Sequence, residues 1–174
     1  MRKGFTLVEL VVVIAIIAIL AAVIAPNAFK SIEKARISAT VSHLNAMKTA
    51  TMQYYTDVSV WPQNGTTTAN NELLTNVQSY ATWDGPYIDK WPAAGQWPGS
   101  VYNLRNAADQ NWNAAAGGDL ARYIELTSVP VAAARKIDIA MDGVQNATSG
   151  AVRYDDTAAT PTVYYLISTD VSVN

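Results

Sequence analysis

The 174 residues carry 15% charged side chains and a formal net charge of −2, and half of them are hydrophobic. A mildly acidic chain lacks the broad cationic surface that grips nucleic acid through its phosphates, so no nucleic-acid partner is expected. The absence of cysteine rules out a disulfide scaffold, a thiol nucleophile and a cysteine-ligated metal, and the single histidine, His43, argues against a Ser-His-Asp triad or a multi-histidine zinc site.

Much of the hydrophobicity sits at the start of the chain. From Phe5 to Ala25 only Thr6 and Glu9 interrupt the apolar run, and Leu10 to Ala25 has no polar side chain. As a helix this stretch covers roughly 30 Å, one hydrocarbon core. Arg2 and Lys3 precede it, which predicts a cytoplasmic N-terminus and an exported body. Three readings compete: a secretory signal cleaved near Ala21 to Ala25, a plain anchor, and a helix whose carboxylate is partnered by another chain. Glu9 separates them, because hydrocarbon penalises an unpaired carboxylate and a plain anchor gives it no task.

The run Gly4-Phe5-Thr6-Leu7-Val8-Glu9, behind a short basic leader and before an apolar stretch ending at Pro26, resembles the N-terminus of type IV pilins and type II secretion pseudopilins. The resemblance implies a membrane peptidase that cuts between Gly4 and Phe5 and methylates the new amine on Phe5. Loss of Arg2 and Lys3 with the leader would take the net charge from −2 to −4. The ammonium on Phe5 of one subunit would then be the counter-charge for Glu9 of a neighbour, fixing the stagger between helices as a buried polar residue fixes register in a coiled coil. The same resemblance implies a homo-oligomeric helical filament, a prepilin peptidase, and an inner-membrane assembly platform with its ATPase. The subunit would wait in a bacterial inner membrane and end in a periplasmic or extracellular filament.

Beyond the apolar run, Pro26 lacks an N–H and should kink or loosen the helix at Ala22 rather than end it, since good helix formers follow. Ile37, Val41, Leu44, Met47, Thr51 and Tyr54 recur at helical spacing, with Lys34, Ser38, Asn45 and Lys48 opposite them. His43 reads as an ordinary surface residue. The expected organisation is a leader at 1–4, a membrane or filament-core helix at 5–26, an amphipathic continuation at 27–56, and an α+β body at 57–174.

In the body, residues 57–70 read as loop, and 70–81 predicts a short helix from the spacing of Leu73, Leu74, Val77 and Tyr80. Residues 83–100 read as a Trp-rich loop, and 83–87, Trp-Asp-Gly-Pro-Tyr, resembles a segment of major pseudopilins. Strands are predicted at 100–105, 122–127, 151–155 and 162–168 from their β-branched and aromatic content. A helix is predicted from Pro130 to Met141, with Pro in its first turn and Gly143 just past its end. The fold class expected is α+β and pilin-like: a long N-terminal helix whose apolar half protrudes and whose second half packs on a C-terminal antiparallel sheet.

Two further sets of residues invite a functional reading. Trp61, Trp91 and Trp97 each precede a proline, and with Trp83 they could form an aromatic patch for a surface polymer, against the plainer role of pinning loops onto the sheet. That patch supports a rival function, a membrane-tethered binding module. The segment 136–154 resembles the Asp-Gly region near the end of pilin-like proteins, some of which hold calcium there. The oxygen donors would be Asp138, Asp142, Asn146, Asp155 and Asp156, although their spacing is no EF-hand and a solvated turn is the simpler reading. No cofactor is otherwise expected. No phosphate-binding glycine loop or convergent acid pair marks a catalytic site, so an enzyme is not expected.

Overall fold

In a computed structural model the structure describes residues 5–65, 71–92, 94–110, 112 and 119–169. The proposed leader, with Gly4, and the Thr66 to Asn70 part of the first loop lie outside the described residues. The chain divides into two units, residues 1–36 and 37–174.

The first unit is helical. Helix α1, Leu7–Val58, begins in it and runs through Pro26 without a break in helical assignment. Every described side chain from Phe5 to Ile32 is exposed, including Ile14, Ile17, Leu20, Ile24 and Phe29. Such a surface has no place in water, and the segment is long and apolar enough to cross a membrane.

The second unit takes the rest of α1 and folds it onto a sheet. Thr40, Leu44, Met47, Ala50, Thr51, Tyr54 and Val58 form the buried stripe at three- and four-residue spacing. Ile37 and Val41 are only half-buried at its margin, and Thr40 takes the buried place beside Val41. The sheet has four antiparallel strands: β1 (Tyr102–Gln110), β2 (Asp119–Leu126), β3 (Val152–Tyr154) and β4 (Val163–Thr169), in the order β1-β2-β4-β3. All four predicted strands are present. Period-two alternation assigns their faces. Tyr102, Leu104, Ile124, Leu126, Val152, Val163, Tyr165 and Ile167 join the stripe of α1 in the main core. Ala121, Tyr123 and Leu166 point the other way and are covered by Trp112. On that second face Arg105 Nε and Asn103 Nδ2 both donate to Glu125 Oε2, at 2.7 and 3.2 Å.

Helix α2, Val131–Asp142, forms where predicted. Pro130 stands at its N-cap, and Gly143 closes it in the left-handed region (φ 80°), donating its N–H to Ile139 O. Its face of Ala133, Ala134 and Ile137 completes the core.

The helix predicted at 70–81 is not there; described residues 71–82 form a succession of turns. Two asparagines explain it. Asn71 Oδ1 accepts the Leu73 N–H at 3.0 Å, and Asn76 pairs with both the N–H and the carbonyl of Tyr80 at 2.8 Å. These side chains take the bonds a helix would need, and Ser79 adopts a positive φ of 57°. Of the four residues at helical spacing Leu73 is buried, Leu74 and Tyr80 are half-buried against the core, and Val77 is exposed.

Candidate functional site

Thr6 precedes the first helical residue and Glu9 is the third residue of α1. The Thr6 backbone N–H and Oγ1–H both donate to Glu9 Oε2 at 2.9 Å, and the Glu9 N–H donates to Thr6 Oγ1 at 3.2 Å. This reciprocal arrangement is a capping box. It satisfies backbone donors that the first turn leaves without intrahelical partners, and a carboxylate here also suits the positive end of the helix dipole. Glu9 therefore has a partner within its own chain, a task the sequence analysis did not assign. Thr6 is the residue it missed, although Thr-Leu-Val-Glu, with the acid three places after the hydroxyl, is the sequence signature of such a cap. Both Thr6 donors converge on Oε2 and leave Oε1 clear of them.

Phe5 lies just before this cap and is 78% exposed. The small side chains Ala15, Ala18, Ala21 and Ala22 follow on α1, all exposed. A helix with exposed small residues among branched apolar ones can approach another helix closely in a bilayer, where dispersion and polar contacts drive association. At Pro26 the missing donor removes one intrahelical bond, and α1 continues.

The tryptophans do not make a patch. Trp91 is 1% and Trp97 7% exposed, both within the main core, and Trp91 Nε1 donates to Tyr102 O. Trp83, half-buried, donates from Nε1 to Glu72 O at 3.0 Å. Trp61 is stacked on Tyr55 with ring centroids 4.0 Å apart, and Arg122 lies over it. These rings hold the segments around Trp61, Trp83, Trp91 and Trp97 to the sheet and α1, as in the plainer of the two readings. Gly95 fits the same tightly packed segment, since a Cβ there would meet Ser100 and Leu126.

His43 is half-buried rather than a surface residue, its ring edge-on to Tyr102 at 5.7 Å. Lys48, placed on the solvent side from spacing, is also half-buried, with Nζ 3.3 Å from Leu166 O and over the Tyr165 ring. Long amphipathic side chains cover apolar surface in this way.

The five oxygen donors near the end of the chain have separate tasks. Asp138 is fully buried and accepts the Asn146 N–H on Oδ2 at 2.7 Å; burial pushes its carboxyl above the usual range. One turn later Asp142 accepts the Val152 N–H at 2.9 Å. The two carboxylates thus tie the start and end of the 143–152 loop to α2. Gly150 (φ 88°) passes so close to Asp142 that a Cβ would collide with its carboxylate. Asn146 Oδ1 accepts from Thr148, Asp155 Oδ1 accepts from Thr157, and Asp156 forms an ion pair with Arg135 at 2.8 Å. Among the described residues no group of three or more His, Cys, Asp or Glu is placed to hold a metal ion.

Comparison with known proteins bears on the apolar helix and its cap. Residues 1–25 match the prokaryotic N-terminal methylation motif, and residues 31–116 match the family described as PilW, C-terminal. Over these residues the chain is similar to proteins of the type IV pilin family. It is 39% identical over 88 residues to the type IV major pilin protein PilE of Neisseria gonorrhoeae, a match covering 51% of this chain and 48% of that protein. It is 40% identical over 66 residues to a fimbrial protein of Neisseria meningitidis serogroup A, covering 38% and 39%. A third relative, fimbrial protein EcpC of Eikenella corrodens, is 35% identical over 82 residues, covering 44% and 54%. The chain thus spans about half the length, or less, of the curated relatives it matches.

Proposed function

We propose that this chain is a structural subunit, not an enzyme, that polymerises into a helical filament after cleavage between Gly4 and Phe5 and N-methylation of Phe5. The observation that carries this is the fully exposed apolar surface of Phe5 to Ala25, opened by a single capped carboxylate, Glu9. In the monomer this surface faces lipid of the inner membrane; in the filament it faces the same surface of other copies. The gain comes from exchanging lipid for close helix packing at Ala15, Ala18, Ala21 and Ala22. Glu9, capped by Thr6 on Oε2, keeps Oε1 to accept the Phe5 ammonium of a neighbour. The relatives are pilins and fimbrial proteins, which favours a pilus over a secretion pseudopilus. A prepilin peptidase and an inner-membrane platform with its ATPase are the partners this route requires.

The test is intact mass and N-terminal sequencing of the protein from its native membrane or filaments, with electron microscopy of sheared surface material. A chain beginning at methylated Phe5, and filaments lost in Glu9→Val while membrane insertion persists, are the expected results. A chain beginning after Ala21 to Ala25 would overturn the proposal.

A further inference from the structure

A groove of about 370 Å³ opens beside the last turns of α1, between Gln53, Thr56 and Asp57 on the helix and Asp84, Pro86 and Tyr87 on the loop that follows Trp83. The Tyr87 hydroxyl organises it. It accepts the Asp84 N–H at 3.1 Å, and Asp57 lines the same groove. Tyr87 is itself fixed by edge-on contacts with Tyr54 and Trp83. Two exposed carboxylates thus flank one aromatic side chain, a set that suits an ammonium or guanidinium group.

The charge of the chain is unevenly divided. Residues 37–174 hold 7 of the 12 Lys and Arg but 12 of the 14 Asp and Glu, a net −5. Between Lys30 and Arg36 the segment carries Lys30, Lys34 and Arg36 against the single carboxylate Glu33, and all three cations are exposed. In a filament of identical subunits, each acidic body meets basic segments at high local concentration.

We propose that the groove between α1 and the Asp84–Tyr87 loop is a docking site between copies, receiving a lysine or arginine side chain from the Lys30–Arg36 segment of a second subunit. This deepens the filament reading and rests on it. Asp57 and Asp84 supply the charge, and the Tyr87 ring supplies the wall of the groove. Complementary charges of this kind fix which surfaces meet and suppress wrong pairings more than they add affinity.

The natural absence of cysteine makes the test direct. Full-length chains carrying Asp84→Cys with Lys30→Cys, Lys34→Cys or Arg36→Cys are assembled, oxidised and run on non-reducing gels. Disulfide-linked multimers from at least one pair, absent from Asp84→Cys alone, are expected. In parallel, Asp57→Lys/Asp84→Lys should cut filament yield by at least about ten-fold, because like charges opposed in an interface are strongly penalised. Adding Lys30→Glu, Lys34→Glu and Arg36→Glu should restore it. Filaments at the normal yield from Asp57→Lys/Asp84→Lys, or no cross-link from any pair within intact filaments, would overturn the docking while leaving the filament reading in place. A wild-type chain that forms no filaments would overturn the filament reading itself.

Discussion

Replacing Tyr54 by Phe removes one oxygen atom from the core and should destabilise the body measurably. The Tyr54 hydroxyl donates to Glu72 Oε2 at 2.8 Å, and Glu72 is only 5% exposed. The same oxygen accepts the Gln63 N–H at a longer 3.3 Å, while the Glu72 carbonyl accepts Trp83 Nε1. Glu72 therefore anchors the loop after α1 from two sides, and Tyr54 is its main side-chain donor. Removing one partner of a buried charged hydrogen bond costs about 1–3 kcal/mol, because the carboxylate remains out of water. For a chain of this size each kcal/mol lowers Tm by about 2–4 °C, so Tyr54→Phe should melt roughly 2–12 °C below wild type by circular dichroism in detergent. The Glu72→Gln background separates charge from shape: an amide oxygen can still accept the bond, but leaves no stranded charge when Tyr54 becomes Phe. The loss should therefore be smaller there, with a coupling of about 0.5–3 kcal/mol. Equal melting of Tyr54→Phe and wild type in both backgrounds would refute the reasoning.

The remaining predictions concern the cap, a buried acid and a surface pair. Thr6→Val removes the hydroxyl of the capping box, and a lost N-cap costs about 1 kcal/mol; hydrogen exchange in micelles should be several-fold faster at Leu7 to Leu10 and unchanged beyond Ala22. Asp138 has its carboxyl pKa raised by burial, so between the unfolded and folded values the native state binds more protons and stability falls as pH rises through that window. Asp138→Asn keeps an oxygen for the Asn146 N–H and should melt higher than wild type at neutral pH, an advantage that shrinks as pH falls through that window and is gone below about pH 4. Asp156→Asn breaks the exposed pair with Arg135 and should leave Tm unchanged, a result checked at low and high salt.

How much of this fold could be read from the sequence depended on whether a segment's bonds were local or distant. The four strands were legible because β-branched and aromatic runs fit a half-buried pleated surface, and α2 because Pro130 and Gly143 mark its ends by their own backbone chemistry. The helix expected at 70–81 failed because apolar spacing says nothing of which bonds the backbone makes. Asn71 and Asn76 rerouted those bonds. Pairing order was not legible at all. That β4 lies between β2 and β3 depends on contacts across the sheet, such as Tyr165 opposite both Ile124 and Val152, which no local pattern encodes.

At the start of α1 one carboxylate has two possible partners. An acid inside an apolar run raises the question of its partner, and a partner from another chain is the answer a membrane suggests. The nearer donor was three residues back. Thr6 meets Glu9 through geometry that any helix start offers, with no second subunit required. The two roles are not rivals, because a carboxylate has two oxygens and the cap draws on Oε2. Their consequences differ, however. A capping role predicts that Thr6→Val and Glu9→Val both loosen the first turn. A register role between subunits predicts that only the loss of Glu9 abolishes filaments, since Val at position 6 leaves the carboxylate in place. Comparing the two variants for exchange at Leu7 to Leu10 and for filament yield therefore separates helix capping from assembly at one residue. Equal filament loss in both variants would mean that the cap itself, by orienting the carboxylate, is what assembly requires.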